Sequence, residues 1–383
     1  MSQDDSTYDN VRIQVPEGRE AIRKRPGMYI GSTGERGLGQ MVFEVADRAV
    51  NEVLAGRAGR VDITLTSDGG VRVADDGPGE SSLEALTTRT GAGAGLGGRH
   101  DVMLGRAGVG PVVANALSSR LTAEVRREGV RRVREYARGV AVTPVTDAGP
   151  AAGSGTTVTF WPDTEIFGAT EFPFDDLADR FRELALLNRD LDVLLTDSRH
   201  SDGPRSLRFR FPGGTRDHVR LLDARTAHGG PDDPGGPGGP DVIGFEQEDP
   251  RMAGTMEVAL RWRDAPDERV RSFANCHPTP RGGTHEAGFR DGVAAVLDAY
   301  ARRRDLLGAA DPGLTARQAG AGLTAVVSVK LDRPEFHGST RDVLGDDTVR
   351  GCVGRAVREH LGAWLEAHPE QAAAVVRQAA RSA

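Results

Sequence analysis

Cysteine, lysine and long apolar runs are all scarce in this chain of 383 residues, and each scarcity narrows what the protein can be. Cys276 and Cys352 are the only cysteines, far apart and outside any CxxC or Cys/His cluster, so neither a disulfide framework nor a zinc site is expected. Both read as buried thiols, because free cysteine packs as a small apolar residue. No stretch approaches the roughly 18 consecutive apolar residues that a bilayer crossing needs, and no membrane span is expected. The opening MSQDDSTYDN is polar and acidic where a secretory signal is basic and then apolar, which makes the expected location cytoplasmic. Only Lys24 and Lys330 are lysine among 49 basic residues, and with 50 glycines this points to a compositional bias that lowers the weight of any one arginine. The net charge of −7 speaks against a protein whose main task is to coat nucleic-acid backbone. What remains, 38% hydrophobic and 27% charged residues, suffices for the cores of two or three domains.

Along the chain, residues 1–15 read as a polar arm. A short helical pattern in EGREAIRK is expected to stop in a turn at Arg25-Pro26-Gly27. From Leu38 to Leu54, Val42, Val45, Ala49 and Val53 fall at helical spacing while Glu44, Asp47, Arg48 and Asn51 share the opposite stripe, predicting an amphipathic helix with a charged face. VDITLTSDGGVRVADDGPG alternates on both sides of Asp68-Gly69-Gly70 and predicts a hairpin running into a glycine-bearing loop. Residues 91–110 hold eight glycines and feed the apolar run PVVANALSS, where Pro111 suits a first helical turn. Strands are predicted at RLTAEVRREG, RRVREYARG and GTTVTFWPD, and a helix after TEFPF, giving a first domain of sheet backed by helices. Beyond residue 213 the pattern restarts. A Gly/Pro-rich loop occupies 228–240, TMEVALRWRD and ERVRSFANC read as paired strands, GFRDGVAAVLDAYARRR as a helix and GLTAVVSVKL as a buried strand. The last segment is helical with one break at Pro369.

A carboxylate on a helix face, a carboxylate pair in a turn and a glycine-rich loop opening a helix together suggest a nucleotide site. Backbone N–H groups at such a helix start favour phosphate oxygens, and Gly105, Gly108 and Gly110 allow close approach. Asp75, in a turn, can accept a hydrogen bond from the exocyclic amine of a base. Neither common nucleotide fingerprint is met: no GKS or GKT follows the loop, and no GxGxxG opens the domain.

These residues sit in longer motifs: RKRPGMYIGSTGERGL, FEVADRAVNEVLAG, DGGVRVADDGPG, AGVGPVVANALSSRL, GTTVTFWPDTEIF, FRELALLNRDL, GGTHEAGFR and LTAVVSVK. In that order they resemble the N-terminal ATPase half of the DNA gyrase B family, a GHKL ATPase family, through nearly the whole sequence. The resemblance implies an α+β fold: a GHKL (Bergerat) ATPase sandwich of mixed sheet and helices over 16–212, then an α/β transducer domain over 213–383 with a left-handed β-α-β crossover. It implies ATP as ligand and two chains dimerising upon it, with Tyr8 of the arm presented to the partner's site. By the same resemblance Glu44 is the general base that orients water, Asp75 reads adenine and Thr156 supports base and water. Gly79 belongs to the turn after Asp75, while Gly105, Gly108, Val109 and Gly110 cradle phosphate. The Toprim domain that such enzymes need for DNA cleavage is expected to be missing, so DNA contact is expected only within a larger assembly, with gyrase subunits as possible partners.

Departures from the family pattern gather where catalysis is expected. Arg48 stands where the family has the asparagine that ligates magnesium, and an arginine has no acceptor to offer a metal, so no metal ligand is assigned and use of Mg2+ is in question. Four residues after Glu44, Arg48 is placed either to pair with that carboxylate or to contact phosphate itself. Pro78 replaces an arginine in the turn, and Leu104, Arg106 and Ala107 break the family's phosphate-loop run. Ser339 and Arg341 stand for the glutamine and lysine of the transducer segment that reaches the γ-phosphate, and Val133, three residues before Tyr136, replaces an arginine used against aminocoumarins. The expectation is an ATP-binding, dimerising relative with weak hydrolysis and intact adenine recognition. The alternative is a non-enzymatic protein that associates with genuine gyrase subunits.

Overall fold

The computed structural model describes residues 18–88, 99, 102–105, 108–169, 171–224, 242–308, 311–338 and 340–382. The arm with Tyr8, the loop at 228–240, Arg106, Ala107 and Ser339 lie outside the described residues.

The first half opens with α1 (Arg19–Lys24), α2 (Pro26–Ile30) and α3 (Glu35–Leu54), then β1 (Val61–Leu65), β2 (Val71–Asp75), α4 (Leu83–Thr88) and α5 (Pro111–Leu117). The first helix ends at Lys24 as expected, but a second helix follows instead of a turn. Pro26 starts α2 at the first helical position, where its missing N–H is no loss. There follow β3 (Ser118–Arg127), β4 (Val130–Ala137), β5 (Val140–Ala141), β6 (Thr146–Pro150), β7 (Gly155–Pro162), α6 (Thr164–Phe167), α7 (Phe174–Leu186), β8 (Val193–Asp197) and β9 (Arg205–Phe209). These strands form one nine-stranded sheet in the order β5-β4-β3-β7-β2-β1-β8-β9, with β6 also on β4. The predicted hairpin is present as antiparallel β1 and β2, and β8 pairs parallel to β1. Val61, Ile63 and Leu65 alternate inward and meet Leu38, Met41, Val42, Val45 and Ala49 of α3 in one core. Burying the Val, Ile, Leu and Met side chains among them contributes roughly 1.5–3 kcal/mol each. That packing fixes α3 across the sheet.

The second half holds α8 (Thr215–Ala224), β10 (Ile243–Asp249), β11 (Gly254–Trp262), β12 (Arg269–Ala274), β13 (His277–Pro278), α9 (Thr284–Arg303), α10 (Ala316–Ala319), β14 (Leu323–Leu331), α11 (Asp347–Ala367) and α12 (Pro369–Arg381). Its sheet runs β10-β11-β14-β12-β13. The expected pairing of β11 with β12 is therefore corrected: β14 lies between them, antiparallel to β11 and parallel to β12. The reason is burial. Eight of the nine residues of β14 are buried, and only a central strand is covered so completely on both faces. Between parallel β12 and β14 the chain passes through α9, the crossover element of this half. Phe289, Val293 and Leu297 of α9 and Val349, Val353 and Val357 of α11 pack in the core of this sheet. The two cysteines are buried and free, as expected.

The halves meet through polar contacts as well as packing. Lys330 Nζ donates to Asn188 Oδ1 at 2.8 Å, and Arg189 Nη2 pairs with Glu257 Oε1 at 2.6 Å. A cavity of about 490 Å³ lies at this junction, lined in part by Asn188, Arg189, Glu257 and Lys330.

Candidate functional site

The polar stripe of α3 is the floor of the site. Sequence periodicity marks it as a charged face, but the structure buries it: Glu44 is 0%, Asp47 8%, Arg48 7% and Asn51 6% exposed. What covers it is the glycine-bearing segment ahead of α5. Asn51 forms a two-way bond with Val102, its Nδ2 donating to the carbonyl at 3.0 Å and its Oδ1 accepting from the N–H at 2.9 Å. One turn back, Asp47 accepts from Leu104 N at 2.5 Å and from Gly105 N at 3.2 Å. A further turn back, Glu44 Oε2 accepts from Val109 N at 3.0 Å and Gly110 N at 2.9 Å. Residues three and four apart share a helix face, so this stripe engages the segment in register along its length. Gly105 is required by the approach itself: a Cβ there would lie 2.3 Å from the Glu44 carboxyl.

Burial pushes the Asp47 carboxyl up to about 8, with the nearby Glu44 carboxylate adding to the rise and the Leu104 and Gly105 N–H groups and Arg180 opposing it. Asp47 and Asn51 were not singled out from the sequence beyond membership of the stripe. The signal that could have found them is the run 44, 47, 51 of acceptor-bearing side chains on one face beside a glycine-rich segment.

The opposite end of the site is the β2 turn. Asp75 and Thr156 are directly opposite in the antiparallel register of β2 and β7, so the sheet brings together the two residues assigned to adenine. Both are buried, Asp75 at 3% exposure. Thr156 Oγ1 accepts from Glu80 N at 3.0 Å, and Asp75 Oδ1 accepts from Gly77 N at 3.0 Å. Gly79 turns the chain away with φ of 81°.

The remaining oxygen of Asp75 is taken. Arg48 Nη2 donates to Asp75 Oδ2 in a buried ion pair. Of the two Asp75 oxygens, one therefore faces the Gly77 N–H and the other the protein's own guanidinium. The two roles foreseen for Arg48, a pair with Glu44 or a phosphate contact, did not include this partner. The physical reason is that a buried guanidinium requires a carboxylate, and Asp75 faces residue 48 from the adjacent strand end. Burial raises the Asp75 carboxyl from its ordinary range while Arg48 and the Gly77 N–H pull against that rise.

Magnesium does not fit as a protein-held ion. Arg48 offers no lone pair, both Asp47 oxygens face loop N–H groups, and among the described residues no group of three or more His, Cys, Asp or Glu side chains is placed to hold a metal. Arg341 comes from the second half to the outer edge of the covering segment, where its Nη1 lies 3.5 Å from Met103 Sδ. Val133 is half-buried on β4, and Tyr136 is buried with its hydroxyl 3.4 Å from the Leu83 carbonyl.

Known proteins share this geometry's frame. The model of the DNA gyrase B family matches residues 214–383. DNA gyrase B of Streptomyces coelicolor is 40% identical over 407 aligned residues, covering 99% of this chain and 58% of that protein. The chain thus spans a little over half the length of that relative. Among solved structures, the 43K ATPase domain of Thermus thermophilus gyrase B in complex with an aminocoumarin is 32% identical, with a TM-score of 0.78 over 96% of this chain and 94% of the other. The topoisomerase IV ATP-binding domain of Francisella tularensis in complex with a small-molecule inhibitor is 26% identical, with a TM-score of 0.71 over 96% and 97%. Among the described residues no helix is long and apolar enough to cross a membrane.

Proposed function

Because this chain belongs to the DNA gyrase B family, we propose that it is a gyrase-B-type module that binds ATP between α3, the β2 turn and the segment ahead of α5, dimerises on it, and hydrolyses it slowly. The observation that carries this reading is that one face of α3 meets Gly105, Val109 and Gly110 through Asp47 and Glu44 and meets Asp75, opposite Thr156, through Arg48. Over 16–212 the chain serves as the nucleotide-binding domain, and from 213 as a transducer that passes the nucleotide state onward, with Arg341 beside Met103 of the covering segment. Tyr8 would complete the partner's site in the dimer. DNA and gyrase subunits enter as partners of a larger assembly.

Hydrolysis is slow in this reading for a stated reason. Phosphoryl transfer asks the protein to orient water and to neutralise charge. Glu44 is positioned for the first task, but its carboxylate is committed to the Val109 and Gly110 N–H groups until phosphate displaces it. Position 48 supplies no metal ligand for the second.

The occupied Asp75 favours a second reading, a non-enzymatic protein that keeps the fold to associate with gyrase subunits. Thermal unfolding with ATP, with ATP plus magnesium and with neither separates the two, since a ligand bound only by the folded state raises stability by mass action. A rise in midpoint with ATP supports the nucleotide-binding module. An unchanged midpoint at millimolar ATP refutes it and leaves the association role.

A further inference from the structure

We infer that Arg48 is a two-position switch that holds Asp75 while the pocket is empty and moves to the polyphosphate when ATP enters, serving there as the cation in place of a protein-bound metal. This rests on the nucleotide-binding reading above and adds to it the order in which the pocket is opened.

Three observations carry it. First, the guanidinium closes the base end of the pocket, since Asp75 has one oxygen on Gly77 N and the other on Arg48. A nucleoside without phosphates brings no anion to compete with a carboxylate for the guanidinium, so it clears Asp75 poorly. Second, residue 48 is one helical turn, about 6 Å along the axis, from Glu44, whose carboxylate lies on the Val109 and Gly110 N–H groups assigned to phosphate. The same arginine, pivoting on α3, therefore serves either end. Third, among the described residues no group of acceptors is placed to hold a magnesium ion, whereas a guanidinium binds phosphate oxygens in a bidentate fork without any metal. Incoming polyphosphate thus supplies what draws Arg48 off, and its departure frees the Asp75 oxygen for the base amine. Triphosphate and base are recognised in sequence through one side chain.

The test compares adenosine with ATP, each in EDTA and in magnesium, by calorimetric titration of the full chain as wild type, Arg48→Asn and Arg48→Gln. The glutamine variant keeps most of the side-chain length and a donor for Asp75, so it stays informative where the asparagine variant folds poorly. Wild type is expected to bind ATP equally well in EDTA and magnesium and to bind adenosine poorly. Removing the guanidinium is expected to tighten adenosine roughly 10- to 100-fold, the worth of one charged hydrogen bond. The same change is expected to make ATP binding depend on magnesium. Equal adenosine affinity in all three proteins, or metal-free ATP binding that survives both substitutions, overturns the switch while leaving nucleotide binding intact. Binding of neither ligand by any of the proteins overturns the nucleotide-binding reading and the switch with it.

Discussion

Replacing Asp47 by asparagine should flatten the pH dependence of stability above neutrality. In the fold the Asp47 carboxyl is pushed up to about 8 by burial beneath the Val102 to Gly105 segment, against 3.8 in water. The sign follows from proton counting: between those values the folded chain carries a proton at Asp47 that the unfolded chain has lost. Stability from this group is complete below about pH 4 and drains away as pH rises through the folded value, by about 1.4 kcal/mol per unit at most. Between pH 6.5 and 8 the integrated loss is about 1.7 kcal/mol, because the slope weakens as the folded group itself begins to ionise. His285 acts in the opposite sense at lower pH. It is fully buried, desolvation lowers it to about 4, and the neutral ring has Nε2 3.1 Å from Thr279 Oγ1. Its stability is present above pH 6.5 and lost on acidification towards 4. Both proteins keep His285, so it cancels in their difference. Urea unfolding of wild type and Asp47→Asn at pH 6.5, 7.25 and 8 reads that difference directly. The wild type should lose about 1.7 kcal/mol relative to the variant across the window. Parallel pH profiles would show that Asp47 is already ionised under the segment, and the account of its burial would be wrong.

Two further substitutions probe the same floor. Asn51→Ala leaves the buried N–H and carbonyl of Val102 without their partner, and should cost about 2–4 kcal/mol in urea unfolding. A loss under about 0.5 kcal/mol would mean that water replaces the side chain and the segment is not fastened there. Gly155, with φ of 146°, packs where a Cβ would stand 2.2 Å from the Asp75 carbonyl oxygen. Gly155→Ala should destabilise the fold by about 2 kcal/mol or more and displace the β2 turn. A thermal midpoint equal to wild type would argue against that close approach.

The sequence already discloses the elements whose signals are local. Alternation around Asp68-Gly69-Gly70 marks the hairpin of β1 and β2, Pro111 after Gly110 marks the start of α5, and Pro369 divides the last two helices. Strand order is not local. A mainly apolar stretch such as β14 says that both its faces are covered, but not that it parts β11 from β12. The site shows the same division. The positions of Glu44, Asp75, Thr156 and the glycine-bearing segment follow from motifs, whereas the partner of Arg48 lies 27 residues away on another element. A helix face of Glu, Asp, Arg and Asn has one periodicity in water and under a loop, and only the cover tells them apart.

That cover also explains why a change at one end of the pocket is felt at the other. A guanidinium at position 48 is buried and needs a carboxylate, since an unpaired buried charge costs several kcal/mol. Of the carboxylates on its own helix face, Glu44 is held by Val109 and Gly110 and Asp47 by Leu104 and Gly105. Asp75 presents an oxygen toward the helix, and Arg48 takes it. In the nucleotide-binding reading proposed above, the residue that leaves position 48 without a metal acceptor also occupies the acceptor for the base. The two losses are one event, and repair has an order. Changes confined to the covering segment leave Asp75 engaged, whereas Arg48→Asn frees Asp75 first and restores a neutral acceptor at the phosphate end in the same step.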